Sequence, residues 1–240
     1  MGCSHRSAAR HSNSDWMALA ARTVSYASGD WRIMGSLNQP IRRPLTLDVS
    51  DLPSVSFGHR NTTWLANVFY MAIEGMMFAL MFAVYFYLRT RSSDWPPGHL
   101  PPALKYGMAN AVVFLLSIIP AWAVRKKAPD LDRRAVRNGL LALTLFALLA
   151  TILRIFEFGA LHCRWTEDAY SSTVWVLLGI HTGHLLTELI ETTVLLLISF
   201  TRKMEGTRLA DAAINSDYWY FVVVTGLIVD LLIYGTTRFL

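Results

Sequence analysis

Five long runs of apolar residues divide the chain, and none of them alternates apolar and polar positions as a strand does. A bilayer core of roughly 30 Å needs about 20 mostly apolar residues in helical form, whereas a barrel strand needs about ten. These runs are long enough to be transmembrane helices and too long to be barrel strands. The pattern predicts an all-α fold, a polytopic membrane bundle with five transmembrane helices at about 64–88, 105–124, 139–161, 171–200 and 218–239.

The composition agrees with a membrane protein. Of the 240 residues, 53% are apolar and only 16% are charged, and the mean hydropathy is +0.35. A soluble domain carries about 25% charged residues. Residues 1–60 differ from the rest because they are rich in serine, arginine and proline and hold only short apolar runs. They are therefore expected to form a disordered cytoplasmic tail, followed by a membrane domain at 61–240.

The net charge of +5 is not concentrated on a soluble module, so a nucleic-acid partner is not expected. The basic residues are instead distributed by loop. Sixteen lie before the first run, between the second and third runs, or between the fourth and fifth, and five lie on the opposite side. Cytoplasmic loops carry the excess of lysine and arginine in membrane proteins. This distribution predicts a cytoplasmic N-terminus and a C-terminus on the outer side.

Several ionisable side chains stand inside the apolar runs, where an ionised group costs roughly 2.5–3.5 kcal/mol. Four of them lie in the fourth run with spacings of 3, 4 and 3, and about 100° per residue places them within an arc of about 80°. Arg154 and Glu157 are three residues apart and are expected to pair on their own helix. Glu74 is expected at the depth of the inner part of the stripe. The full set is Glu74, Arg154, Glu157, His181, His184, Glu188, Glu191 and Asp230.

Three interpretations of this polar stripe compete. It can be a hydrogen-bonded network that holds the bundle together, or a site for lipid headgroups or protons that serves a larger complex. It can also be a metal centre, because four-helix di-metal sites combine glutamates with Glu-x-x-His motifs. Here the motifs are His-x-x-His at 181–184 and Glu-x-x-Glu at 188–191. Their order and number differ from the di-metal pattern, so a metal site is not expected. Asp230, alone in the fifth run, is expected to be a packing residue more often than a proton carrier.

Several stretches together resemble subunit III of the haem–copper oxidases, the cytochrome c oxidase family. The family carries a glutamate followed by aromatics, a Trp-Pro-Pro loop, a Glu-Tyr pair, a Gly-Phe-His-x-x-His segment and a final helix that opens Tyr-Trp-His-Phe-Val-Asp. The corresponding stretches here are EGMMF at 74–78, DWPP at 94–97, EF at 157–158, GIHTGH at 179–184 and YWYFVV at 218–223. The resemblance covers roughly residues 64–240 in the family's order.

This resemblance implies a five-helix form that lacks the family's first two helices, in a bacterial inner membrane with a periplasmic C-terminus. Such a subunit holds no haem or copper itself. It packs against catalytic subunit I and is expected to meet subunit II, which carry those cofactors, and it supports assembly and proton uptake. Phospholipid is the ligand that the resemblance implies for this chain. The positions that carry over from the family are Glu74, Glu157, His181 and His184.

The chain also departs from the family. Tyr220 and Val223 stand where the family has histidine and aspartate, and Arg154 replaces an uncharged residue. Glu188 occupies a position that is usually small. Together with Glu191 and Asp230, these changes predict a rearranged polar network in a divergent member. Two alternatives stay open, a subunit III-like protein associated with nitric oxide reductase and a stand-alone membrane metalloprotein that uses the histidine and glutamate stripe.

Overall fold

The computed structural model describes residues 55–98, 100–201 and 204–239. Most of the predicted cytoplasmic tail therefore lies outside the described residues. A short 3-10 turn at Gly58–Arg60 leads into α1 (Thr62–Arg91), followed by α2 (Leu104–Lys127), α3 (Arg133–Gly159) and α4 (Ala169–Ser199). The last helix, α5, runs as a regular helix over Gly206–Asp230. It continues through a π-helical turn at Leu231–Gly235 and a final turn at Thr236–Phe239.

The predicted all-α fold is confirmed, because all five helices are long and apolar enough to cross a membrane. The largest difference in bounds concerns α5, which begins twelve residues before the predicted span at 218. Residues 206–217 include Arg208, Asp211 and Asp217, so their hydropathy is too low to indicate a membrane span. They form a helix because one of their faces packs, with Leu209, Ala212 and the adjacent Met204 in the apolar core.

Side-chain caps begin three of the helices. The side chain of Asn61 accepts from the backbone N–H of Thr63 at the start of α1, and Asp132 accepts from Ala135 N–H at the start of α3. Asp168 accepts from Ser171 N–H at 2.7 Å at the start of α4. Such caps satisfy backbone donors that the first turn of a helix leaves unpaired.

Helices α2 to α5 form the main bundle, in which α2 packs along α3 and α5, and α4 lies between α3 and α5. Trp219 is fully buried at the centre of this bundle, and its indole N–H donates to Ser117 Oγ at 2.8 Å. Helix α1 packs mainly on α4 and α5 and buries only Glu74, Phe78 and Tyr85. One helix of the five therefore lies at the edge of the bundle.

Polar contacts tie the helices together at both ends of the bundle. At one end, Asp217 on α5 contacts Arg125 on α2 and accepts a hydrogen bond from the Trp64 indole of α1 at 3.0 Å. At the other end, the Trp95 indole in the α1–α2 loop donates to Tyr85 Oη at 2.9 Å, and its ring packs edge-on against Tyr170. These contacts hold α1 and the loop against α4 and α5.

Candidate functional site

The charged side chains inside the bundle lie in three separate groups. We call the first the Arg154 cluster (Asn110, Arg154, Glu157, His181, Asp230 and Tyr234), the second the Glu74–His184 pair, and the third the Glu188 cluster (Glu188, Thr192 and Asn215). The Arg154 cluster draws residues from α2, α3, α4 and α5. The pair joins α1 to α4, and the Glu188 cluster joins α4 to α5.

Arg154 and Glu157 form the predicted pair on α3. Arg154 Nη1 lies 2.8 Å from Glu157 Oε2, and both side chains are fully buried. Glu157 also accepts hydrogen bonds from the Tyr234 hydroxyl at 2.8 Å and from Asn110 Nδ2 at 3.4 Å. Three donors from three helices therefore surround this carboxylate, which is the arrangement that a buried ionised carboxylate requires.

Asp230 also reaches the guanidinium, although its sequence context gave it no partner. Its Oδ1 lies 3.3 Å from Arg154 Nη1, and the residue is only 5% exposed. Tyr234 lies four residues later on α5 and also reaches this cluster, through its hydrogen bond to Glu157. One cation is thus shared by two carboxyl groups, one from its own helix and one from α5.

His181 completes the Arg154 cluster and has a defined tautomer. Arg154 Nη2 donates to His181 Nδ1 at 3.0 Å, because a guanidinium offers only donors. The other ring nitrogen, Nε2, lies 2.9 Å from the carbonyl oxygen of Val222 and therefore carries the proton. His181 is a neutral imidazole that links α3 to α5.

The absence of a side chain at Gly226 makes room for the His181 ring. A Cβ atom added at Gly226 would lie 2.7 Å from His181 Nε2 and 3.1 Å from the ring of Phe114. Real Cβ atoms essentially never approach another heavy atom closer than 3.0 Å. The ring of Phe114 packs edge-on against His181, with 5.5 Å between the ring centroids. The position of the imidazole therefore depends on a glycine in the facing helix.

The Glu74–His184 pair lies beside the Phe78 ring, which packs against both histidines. Glu74 Oε1 lies 3.0 Å from His184 Nε2, and Oε2 accepts from the Tyr218 hydroxyl at 2.7 Å. His184 Nδ1 donates to the carbonyl oxygen of Ile180 at 2.8 Å, so a proton must also lie between Nε2 and Glu74. The pair holds that shared proton as either an ion pair or a neutral hydrogen bond.

The Glu188 cluster is buried without a basic partner among the described residues. Glu188 Oε1 accepts from Asn215 Nδ2 at 2.8 Å and from Thr192 Oγ1 at 3.3 Å. Asn215 Nδ2 also donates to Thr192 Oγ1 at 3.0 Å. The second oxygen, Oε2, is buried and has no hydrogen-bond partner in the described part of the chain. Among the described residues, two neutral side chains thus provide all the polar contacts of this carboxyl group.

The predicted polar stripe on α4 is divided by its surroundings. His181 and Glu188 are fully buried, His184 is partly buried beside α1, and Glu191 is exposed. Glu74 contacts His184 and Tyr218, whereas Glu188 contacts Thr192 and Asn215. The spacing placed four side chains on one face, but they meet different neighbours.

Sequence reasoning missed several neutral residues that complete these groups. The hydroxyls of Tyr218 and Tyr234 and the amides of Asn110 and Asn215 all contact buried carboxyl groups. A signal was present for Asn110, since an asparagine in the body of a predicted membrane helix is costly unless its amide is hydrogen-bonded, whereas Asn215 lies before the span predicted at 218. For the tyrosines there was none, because tyrosine is also common at membrane interfaces.

Among the described residues, no group of three or more His, Cys, Asp and Glu side chains is arranged to hold a metal ion. The cysteine that the structure describes, Cys163, lies in the α3–α4 loop with a buried free thiol. Burial raises the pKa of this thiol, whereas the thiolate is the form that binds metals. The groups described here can therefore hold protons and hydrogen bonds, and this is the chemistry that the geometry offers.

No family model matches the chain. Among curated proteins, the "Probable cytochrome c oxidase subunit 3" of Nocardia farcinica (strain IFM 10152) is 25% identical over 171 residues, which cover 70% of this chain and 84% of that protein. This similarity confirms the resemblance to subunit III that the sequence motifs indicated.

Proposed function

We propose that this chain, a divergent subunit III-like protein of five membrane helices, is an auxiliary non-redox subunit of a respiratory haem–copper oxidase. In this role it packs against catalytic subunit I and meets subunit II, which carry the haem and copper. It supports the assembly of the complex, phospholipid binding and proton uptake in aerobic electron transport. The similarity to the Nocardia farcinica protein carries this proposal.

The exposed face of α1 supports a role within a larger assembly or against lipid. Its exposed apolar side chains recur every three or four residues and therefore form one stripe along the helix. The buried side chains of α1 lie on the opposite face, against α4 and α5. A continuous apolar stripe on an edge helix suits contact with lipid tails or a partner helix. The stripe consists of Leu65, Phe69, Ile73, Met76, Leu80 and Val84.

The Glu74–His184 pair supports a role in proton handling. Its geometry requires a shared proton, and both side chains are about one-tenth exposed at the boundary of α1 and α4. Ionisable groups within membrane helices mark proton relays or ligand sites more often than surface groups do. We propose that this pair is the part of the chain that exchanges protons with the partner subunit.

The distribution of basic residues supports the proposed orientation. The α2–α3 connection and the ends of its flanking helices carry six of them, including Arg125, Lys127 and Arg133. Positive residues favour the cytoplasmic side. We therefore propose a bacterial inner membrane location with the N-terminus in the cytoplasm and the C-terminus in the periplasm.

Purification of the tagged full-length chain from its native membrane in mild detergent tests this function. We expect a haem-bearing catalytic subunit to copurify, with an oxidase spectrum and oxygen consumption in the same fraction. Separation of the chain from its partners should leave the haem and copper with those partners. Copurification with a nitric oxide reductase instead would contradict the proposed oxidase and support the alternative complex. Stoichiometric iron, copper or zinc on the isolated chain would contradict an auxiliary role.

A further inference from the structure

The two carboxyl groups that share Arg154 receive very different hydrogen bonds from the protein. Glu157 accepts three hydrogen bonds, from Arg154, Tyr234 and Asn110, and both of its oxygens are used. From the residues that the structure describes, Asp230 accepts a single long hydrogen bond, at 3.3 Å, on Oδ1. Its other oxygen, Oδ2, is buried without a hydrogen-bond partner in the described part of the chain. Only Glu157 therefore has the contacts that stabilise a negative charge in the bundle.

Charge balance leads to the same distinction. Arg154 is always protonated and supplies one positive charge, which Glu157 neutralises at 2.8 Å. Two carboxylates that share one site cannot both ionise without a large penalty, and one of them retains a proton. We propose that Asp230 is a buried proton-binding site that carries its proton on Oδ2, with the Arg154–Glu157 ion pair as its fixed neighbour. All the residues that form this site come from this chain, so the proposal does not depend on which complex the chain joins.

The other groups around Asp230 are fixed by their own contacts. His181 on α4 is held neutral between Arg154 and the carbonyl oxygen of Val222. Tyr234 donates to Glu157 rather than to Asp230. Arg238, two turns further along α5, donates to the carbonyl oxygens of Tyr234 and Pro102. None of these contacts supplies Asp230 with a second cation.

A groove gives this site a route to the outside of the bundle. Asp230 lines an apolar groove of about 370 Å³ between α2 and α5, together with Ala111, Leu227 and Leu231. The groove extends along α5 to Arg238, eight residues or roughly 12 Å from Asp230. Arg238 lies at the same end of the bundle as the α1–α2 loop, because it donates a hydrogen bond to the Pro102 carbonyl oxygen in that loop. An apolar lining offers no group that relays a proton, so the proton of Asp230 is expected to exchange with water that enters this groove, away from the Glu74–His184 pair.

Infrared spectroscopy of the purified complex tests the protonation of Asp230. We expect a carbonyl band of a protonated carboxyl group that shifts in heavy water and is lost in Asp230→Asn. The asparagine variant should still assemble, because it replaces a neutral group by another of the same shape. In Glu157→Gln, Asp230 should become the counter-ion of Arg154, so the same band should disappear while the protein retains its bundle. A spectrum of Asp230→Asn identical to that of the parent protein would overturn the proposal.

A second measurement tests the route and does not require removal of the carboxyl group. Ala111→Leu fills the groove, and we expect it to slow the exchange of the Asp230 band into heavy water at least several-fold. The matched control is Leu116→Phe, which enlarges an exposed side chain of the same helix about 140° around the helix axis from Ala111. Equal exchange rates in the parent protein and in Ala111→Leu would exclude the groove as the route. Assembly of the complex is scored separately, so failure of the oxidase assignment would not be confused with failure of this site.

Discussion

His181 and Glu188 lie two turns apart on the same face of α4, and both are fully buried against α5, yet their surroundings differ. His181 belongs to a cluster with a cation, two carboxyl groups and side chains from four helices. Glu188 has a neutral amide and a neutral hydroxyl as its only polar partners in the described part of the chain. The residue that α5 presents at each level makes the difference, since Asp230 and Tyr234 face one end of the stripe and Asn215 faces the other.

This contrast implies two kinds of buried polar group in one bundle. In the Arg154 cluster, Glu157 neutralises the charge of Arg154, so the removal of Glu157 takes away the ionised partner of a buried guanidinium. In the Glu188 cluster, the partners of the carboxyl group are a neutral amide and a neutral hydroxyl. A neutral replacement of Glu188 therefore leaves no buried charge without its partner. Losing one partner of a buried ion pair costs about 3–5 kcal/mol, whereas losing a neutral hydrogen bond costs about 0.5–1.5 kcal/mol. Stability should therefore respond unequally to changes in the two groups.

The largest effect is expected for Glu157→Ala, because Asp230 must then ionise to balance Arg154 across a single contact at 3.3 Å, and Tyr234 and Asn110 lose their acceptor. We expect a loss of about 3–5 kcal/mol, measured by thermal unfolding in mild detergent and by the yield of assembled complex. Glu191→Ala is the matched control, because Glu191 lies on the same polar face of α4 but is exposed. Equal assembly yields for the two variants would contradict the view that the Arg154 cluster is a compensated unit.

The sequence predicted some parts of this contrast and not others, for physical reasons. The five helices follow from the length of the apolar runs, and the Arg154–Glu157 pair follows from a spacing of three within one helix. The position of Asp230 opposite Arg154 could not be predicted, because it depends on the rotation of α5 relative to α3. The π turn at Leu231–Gly235 then changes the direction of the residues that follow Asp230, including Tyr234, since i→i+5 bonding widens the helix.

The division of the α4 stripe could not be predicted either, because it also depends on how the neighbouring helices are placed. An arc of about 80° is wide enough that its two edges face different helices, and α1 covers only one edge. Glu191 lies on the same edge as His184 but nearer the end of α4, and it is exposed while Glu188, three residues away, is buried. Spacing along one helix shows which side chains share a face, but the neighbouring helices determine which of them become partners.

An intermediate effect is expected for Gly226→Ala. The added methyl group would displace the His181 ring, which links Arg154 to the backbone of α5, and overpacking of this kind costs about 1–3 kcal/mol. Gly183→Ala provides the matched control, since a Cβ atom there meets nothing within 4 Å and alanine favours a helix by up to about 1 kcal/mol. Thermal unfolding of both variants measures the difference. If Gly226→Ala were as stable as Gly183→Ala, the imidazole would not be held in the position described.

The smallest effect is expected for Glu188→Gln. Glutamine keeps an oxygen that can accept from Asn215 Nδ2, and in the described part of the chain no cation loses a partner. We expect a change below about 1 kcal/mol in thermal unfolding, within the range of a neutral hydrogen bond. Glu188→Leu is the informative companion, because it leaves the buried Asn215 amide with Thr192 alone and should cost about 1–3 kcal/mol. A loss for Glu188→Gln as large as that for Glu157→Ala would mean that Glu188 is ionised and has a cationic partner. The two halves of the α4 stripe would then be the same kind of site.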